Sequence, residues 1–192
     1  GVNVVVNTLK GKLVDTLEKA SKVANIDLVL VEPRTNSIKD EVFLGKTSGK
    51  IIKQTQIPAL IVPENTTFKP VKHILMAVKS AVIKKKNVLS PLKSIIDNFK
   101  AEANLLLVKT PNYKDEDFNV NDELQALTTN TIQTENATTY QGVLEHYQST
   151  KPDMLCVVRR KRGFFTKKWE KNVIFKKDFS SSIPVLVLSG LK

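Results

Sequence analysis

The side chains of this sequence best suited to chemistry are cations. Lys79, Lys84, Lys85 and Lys86 form one cluster; Arg159, Arg160, Lys161 and Arg162 form another, followed by Lys167, Lys168 and Lys171. Clusters of this kind attract anions, from phosphate groups to polyanions. Phe164, Phe165 and Trp169 interrupt the second cluster, and cations interleaved with aromatic rings can hold single-stranded nucleic acid. The plainer reading is a solvated basic face, with the rings packed under the loop or at a subunit contact. That reading is preferred, and nucleic acid is not expected as a partner.

The groups that nucleophilic or metal chemistry needs are sparse. Cys156 is the only cysteine and sits in the apolar run Met154-Leu155-Cys156-Val157-Val158, which reads as core. A single cysteine forms no disulfide within the chain, which fits a reducing compartment. His73 and His146 lack cysteine or carboxylate partners at ligand spacing, so no metal site is expected. Asp115, Glu116 and Asp117 read as a solvated turn. No catalytic residue is assigned, and the chain is not expected to be an enzyme. Its 192 residues are 41% hydrophobic and carry a formal charge of +11. No apolar run has the length of a membrane span, and no signal-peptide pattern opens the chain, so a cytoplasmic location is expected.

The elements that must position the cations come from short apolar runs alternating with amphipathic stretches. His73 to Val78 reads as a strand, Asn87 to Lys100 as a helix capped by Asn87, and Leu105 to Val108 as a strand. A polar loop, a short helix around Leu124, a polar edge strand from Thr129 to Thr134 and a helix around Val143 follow. Met154 to Val158 is a strand, 170–179 contains a helix, and Val185 to Leu188 closes the series. Strands alternating with helices imply a parallel sheet with right-handed crossovers. Upstream, Val2 to Val6 reads as a strand, Leu13 to Ala24 as a helix, Leu28 to Val31 as a strand, Thr47 to Gln54 as a helix and Ala59 to Val62 as a strand.

An internal repeat relates the two parts. Asp27-Leu28-Val29-Leu30-Val31 resembles Asp153-Met154-Leu155-Cys156-Val157, and Ile57-Pro58-Ala59-Leu60-Ile61-Val62 resembles Ile183-Pro184-Val185-Leu186-Val187-Leu188. Both pairs are offset by 126 positions, from 153 − 27 and 184 − 58. The organisation expected is a partial copy over 1–64, a linker over 65–70 and a complete copy over 71–192. Position 71 has its counterpart at 71 − 126 = −55, so the first copy lacks a β-α-β-α stretch. The chain, which starts with Gly1, is expected to be a piece of a longer protein. The closing strands Ala59–Val62 and Val185–Leu188, as apolar edges, are expected to meet each other or to pair with a second chain.

With Phe43-Leu44-Gly45 and Ile57-Pro58-Ala59-Leu60-Ile61-Val62-Pro63-Glu64 in the first copy, and the Arg159–Phe165 run and Ser182–Leu188 in the second, the chain resembles the universal stress protein family in its tandem form. The resemblance implies an open parallel sheet of strand order 3-2-1-4-5, adenine nucleotide alpha hydrolase-like, with helices on both faces.

Many members of that family bind ATP through Gly, two residues, Gly, nine residues, Gly, then Ser or Thr, aided by an Asp ending the first strand. Glycines there let backbone N–H groups approach phosphate. In the first copy these positions fall on Glu32, Thr35, Gly45 and Lys46, with Thr47 next; in the second they fall on Val158, Lys161, Lys171 and Asn172, with Lys79 at the Asp position. The motif is largely erased, and no cofactor is expected. The candidates for an anion or nucleotide are Lys79, Val108, Arg159, Arg160, Lys161, Lys171 and Asn172, with Gly45, Lys46 and Thr47 in the first copy. Lys79, Arg159, Arg160 and Lys171 are expected to share one cleft, because ligands of open parallel sheets sit beyond the carboxyl ends of adjacent strands. The leading expectation is a non-catalytic stress-response or regulatory module acting through protein contacts. The alternatives are a nucleotide- or anion-binding protein and a cytosolic regulatory domain of a membrane transporter.

Overall fold

The computed structural model describes residues 1–32, 46–64, 66–111, 113–159 and 183–190. The apolar runs form strands β1 (Val29–Val31), β2 (Ala59–Ile61), β3 (His73–Val78), β4 (Glu102–Lys109), β5 (Asn130–Glu135), β6 (Met154–Arg159) and β7 (Val185–Ser189). The helices are α1 (Leu13–Ala24), α2 (Lys46–Gln54), α3 (Ser90–Phe99), α4 (Asp122–Leu127) and α5 (Thr139–Thr150), with a 3-10 turn at Asp115–Phe118.

One sheet holds all seven strands in the order β1-β2-β7-β6-β3-β4-β5. All neighbours run parallel except β2 and β7, which are antiparallel. Numbered from β3, the last five strands keep the expected order 3-2-1-4-5. The sheet as a whole differs from that open five-stranded design, because β7 is followed by β2 and β1 rather than forming an edge. The two closing strands therefore meet, with Ala59 opposite Val187, Leu60 opposite Leu186 and Ile61 opposite Val185. Of the two arrangements expected, the closing strands take the first and meet each other; pairing with a second chain through them is the one corrected. Each already has a neighbour on both sides, so neither offers free backbone groups to a second chain.

The pairing inside the two parts repeats. Val29 opposes Ala59 and Leu155 opposes Val185, both members being 126 apart (155 − 29 and 185 − 59). The Val29 N–H donates to the Pro58 carbonyl, and the Leu155 N–H donates to the Pro184 carbonyl, each at 3.0 Å.

Burial on both faces explains the uninterrupted apolar strands. Ile74, Met76 and Val78 pack with Leu89, Leu92 and Leu124 of the α3 and α4 side. Leu75 and Ala77 join the opposite cluster with Ile51, Ile52 and Val143, from α2 and α5. β5 is polar and an edge strand, as its sequence implies. Residues 66–72, over most of the expected linker, form neither helix nor strand.

Three expectations are corrected or left open. Val2 to Val6 forms no strand and is exposed, Val2 at 90% and Val6 at 87%. A strand needs a neighbour to take its N–H and C=O groups, and none of the described residues pairs there. α3 starts at Ser90, not Asn87. Asn87 adopts a left-handed φ of 62°, and Pro91 lies in the first turn, where its missing N–H costs nothing. The helix expected within 170–179 lies outside the described residues.

Gly142 of α5 lies against β4 and β5. A Cβ there would stand 2.8 Å from Val108 Cγ2 and 3.2 Å from Thr134 Cγ2. Val108 is fully buried and cannot withdraw. Gly142→Ala gains about 1 kcal/mol of helix propensity, whereas overpacking costs about 1–3 kcal/mol. A net loss of about 1 kcal/mol is expected in urea denaturation. A stabilised variant would contradict this packing.

Candidate functional site

Parallel β3 and β6 are neighbours, with Ala77 opposite Val157. Two residues further on come Lys79 and Arg159, so both leave the sheet at its C-terminal rim. Lys79 is exposed. Arg159 is half-buried and points elsewhere: its Nη2 donates to the Thr55 carbonyl, just past the end of α2. The last carbonyls of a helix lack partners within it and carry partial negative charge, so a guanidinium suits them. Thr55 itself is fully buried, its hydroxyl donating to the Ile51 carbonyl at 2.8 Å. Burial pulls the Arg159 pKa down from its usual value, but a guanidinium stays charged. Arg159 thus ties the end of β6 to a helix of the first part.

Val108, near the end of β4, is buried beneath Gly142 and is not a rim side chain. Arg160, Lys161, Lys171, Asn172 and Gly45 lie outside the described residues, as do the side chains of Lys46 and Thr47, which open α2. Of the four cations expected in one cleft, Lys79 and Arg159 leave adjacent strands at one rim, and Arg160 and Lys171 lie outside the described residues.

The same rim carries a group that sequence reasoning missed. Lys109 Nζ lies 2.7 Å from Glu135 Oε1 and 4.2 Å from the centroid of the Tyr113 ring. Tyr113 meets Phe118 edge-on at 5.5 Å between centroids. The hydrogen bond to Glu135, then that to Tyr113, raises the Lys109 pKa above its ordinary value. Lys109 and Glu135 face each other in the β4–β5 ladder, a relation that no local spacing reveals.

At the opposite end of the sheet, Asp153 opens β6 and holds the start of β3. Its Oδ2 accepts from the Lys72 and His73 N–H groups, each at 2.9 Å, while its own N–H donates to the His73 carbonyl at 2.8 Å. Partial burial pushes the carboxyl up, but the backbone donors of His73 and Lys72 outweigh it and leave the pKa below its usual value. The sequence marks Asp153 only as a repeat residue.

Cys156 is fully buried, and burial pushes its thiol well above the usual range. Among the described residues no three His, Cys, Asp or Glu side chains gather as a metal site. Also among them, no helix is long and apolar enough to cross a membrane.

No family model and no curated protein matches the chain. Solved structures do. A universal stress protein from Archaeoglobus fulgidus DSM 4304 superposes with a TM-score of 0.64 at 16% identity, over 93% of this chain and 66% of that one. A protein from Pseudomonas aeruginosa UCBPP-PA14 given the same family name matches with a TM-score of 0.61 at 14% identity, over 93% and 69%. A protein of unknown function from Pseudomonas aeruginosa PAO1 matches equally well, over 93% and 68%. The chain thus spans about two thirds of the length of these structures and shares their α/β fold.

Proposed function

We propose that this chain is a non-catalytic module of the universal-stress-protein kind, made of one complete and one N-terminally incomplete copy, that acts through protein contacts. Arg159 carries this reading. A cation leaving the sheet where a ligand crevice would form is bound to the end of α2, so the rim serves as a joint between the two parts. Lys79, at the position where the family pattern has Asp, supplies no carboxylate for a nucleoside. The repeated register of β1–β2 and β6–β7, and their antiparallel junction centred on Leu60 and Leu186, support the two-copy reading. Fold alone does not specify an activity, so the chemistry of the rim decides between the readings.

Titration calorimetry with magnesium ATP is expected to give no saturable heat, and affinity capture with the full chain a specific protein partner. Saturable ATP binding with no specific partner would overturn the proposal. A second reading, an anion-binding rim, is favoured by the exposure of Lys79 beside the Lys84–Lys86 run. It requires a saturable ATP signal that Lys79→Ala weakens.

A further inference from the structure

The 126-residue offset extends to elements whose sequences show little likeness. α1 and α5 start and end 126 apart (139 − 13 and 150 − 24), and each is followed by a left-handed residue, Asn25 and Lys151. β1 stands to β2 as β6 stands to β7. By the same offset β5 falls on residues 4–9 (130 − 126 and 135 − 126). In the complete part, β3 and β4 lie between β6 and β5. Among the described residues no element occupies the corresponding place between β1 and residues 4–9. Among them β1 is the edge of the sheet, and Val4, Val5, Val6 and Leu9 are exposed. α5 packs on β3 and β4 and buries Val143. Its counterpart α1 buries no residue fully, and Leu13 on its apolar side is 44% exposed.

We propose that the edge of β1, the apolar side of α1 and residues 4–9 form a receptor for a β-α-β unit of the β3-α3-β4 kind. Its occupant has two parallel strands, apolar on both faces, joined by an amphipathic helix. The first strand pairs with β1 and the second with residues 4–9. Buried backbone groups need partners, and this unit supplies them along both walls. A second copy of the chain is not the occupant, because its own β3 and β4 have neighbours on both sides. The inference rests on the two-copy reading above.

The test is hydrogen exchange on the full chain and on a fusion carrying a duplicate of residues 71–126 directly before Gly1, where the offset requires no linker. In the full chain, residues 4–9 exchange as free peptide. In the fusion, residues 4–9 and 29–31 are expected to slow by at least about tenfold, as paired strands do. Val6→Asp with Leu13→Asp, both at exposed positions, removes that protection but leaves the thermal midpoint of the unfused chain unchanged. Equal exchange in fusion and chain would overturn the receptor. So would a lowered midpoint in the unfused double variant, or protection that grows with concentration of the chain alone. The midpoint arm remains decisive if the fusion fails to fold. ATP binding alongside a protected fusion would remove the proposed function and keep the receptor; an unprotected fusion without ATP binding would do the reverse.

Discussion

Leu186→Ala is expected to lower folding stability by about 2–5 kcal/mol, the range for truncating a buried leucine. Leu186 is fully buried in the strand that joins the two parts of the sheet. It stands opposite Cys156 on β6 and Leu60 on β2, and packs with Met76 and Leu188. Both neighbours are pinned by ladder hydrogen bonds, so the surroundings collapse little into the space left behind. Leu60→Ala, at a half-buried position of the same pair, is expected to cost about half as much, since less apolar area returns to water. Equilibrium denaturation of both variants measures the difference. A loss below about 1 kcal/mol for Leu186→Ala would mean that β7 is not the packed junction described here.

Asp153→Ala is expected to cost about 2 kcal/mol near neutral pH, by leaving two N–H groups without their charged acceptor. The partly exposed site keeps the loss near the lower end of the range for charge-assisted bonds. The acid dependence has a definite sign. The folded state lowers the Asp153 pKa, so it binds that proton less readily than the unfolded chain does. The stabilisation is present above the ordinary carboxylate range and is lost as the pH falls through the lowered folded value. Asp153→Asn keeps an oxygen acceptor but removes the titration. Its stability is expected to fall less than wild type over that acid interval. Parallel acid profiles for wild type and Asp153→Asn would show that the carboxylate does not hold the start of β3.

Residue types and their periodicity determine much of this molecule. Apolar runs of strand length, such as Ile74–Val78 and Leu105–Val108, demand a sheet covered on both faces, because only that environment removes every side chain from water. Amphipathic stretches between them demand crossover helices, and the common 126-residue spacing implies the matched register of β1–β2 and β6–β7. The polar character of Asn130–Glu135 marks an edge. These features depend on burial and on local chain geometry, which neighbouring residues encode. Tertiary structure alone decided which distant groups meet. Arg159 reaches Thr55 across 104 positions, Asp153 reaches His73 across 80, and Lys109 pairs with Glu135 only because β4 and β5 are adjacent. The exposure of Val2–Val6 was equally out of reach, since an apolar run becomes a strand only where another backbone takes its hydrogen bonds. Such outcomes depend on the placement of whole strands, and a side chain's type fixes what it can bind without fixing what lies within its reach.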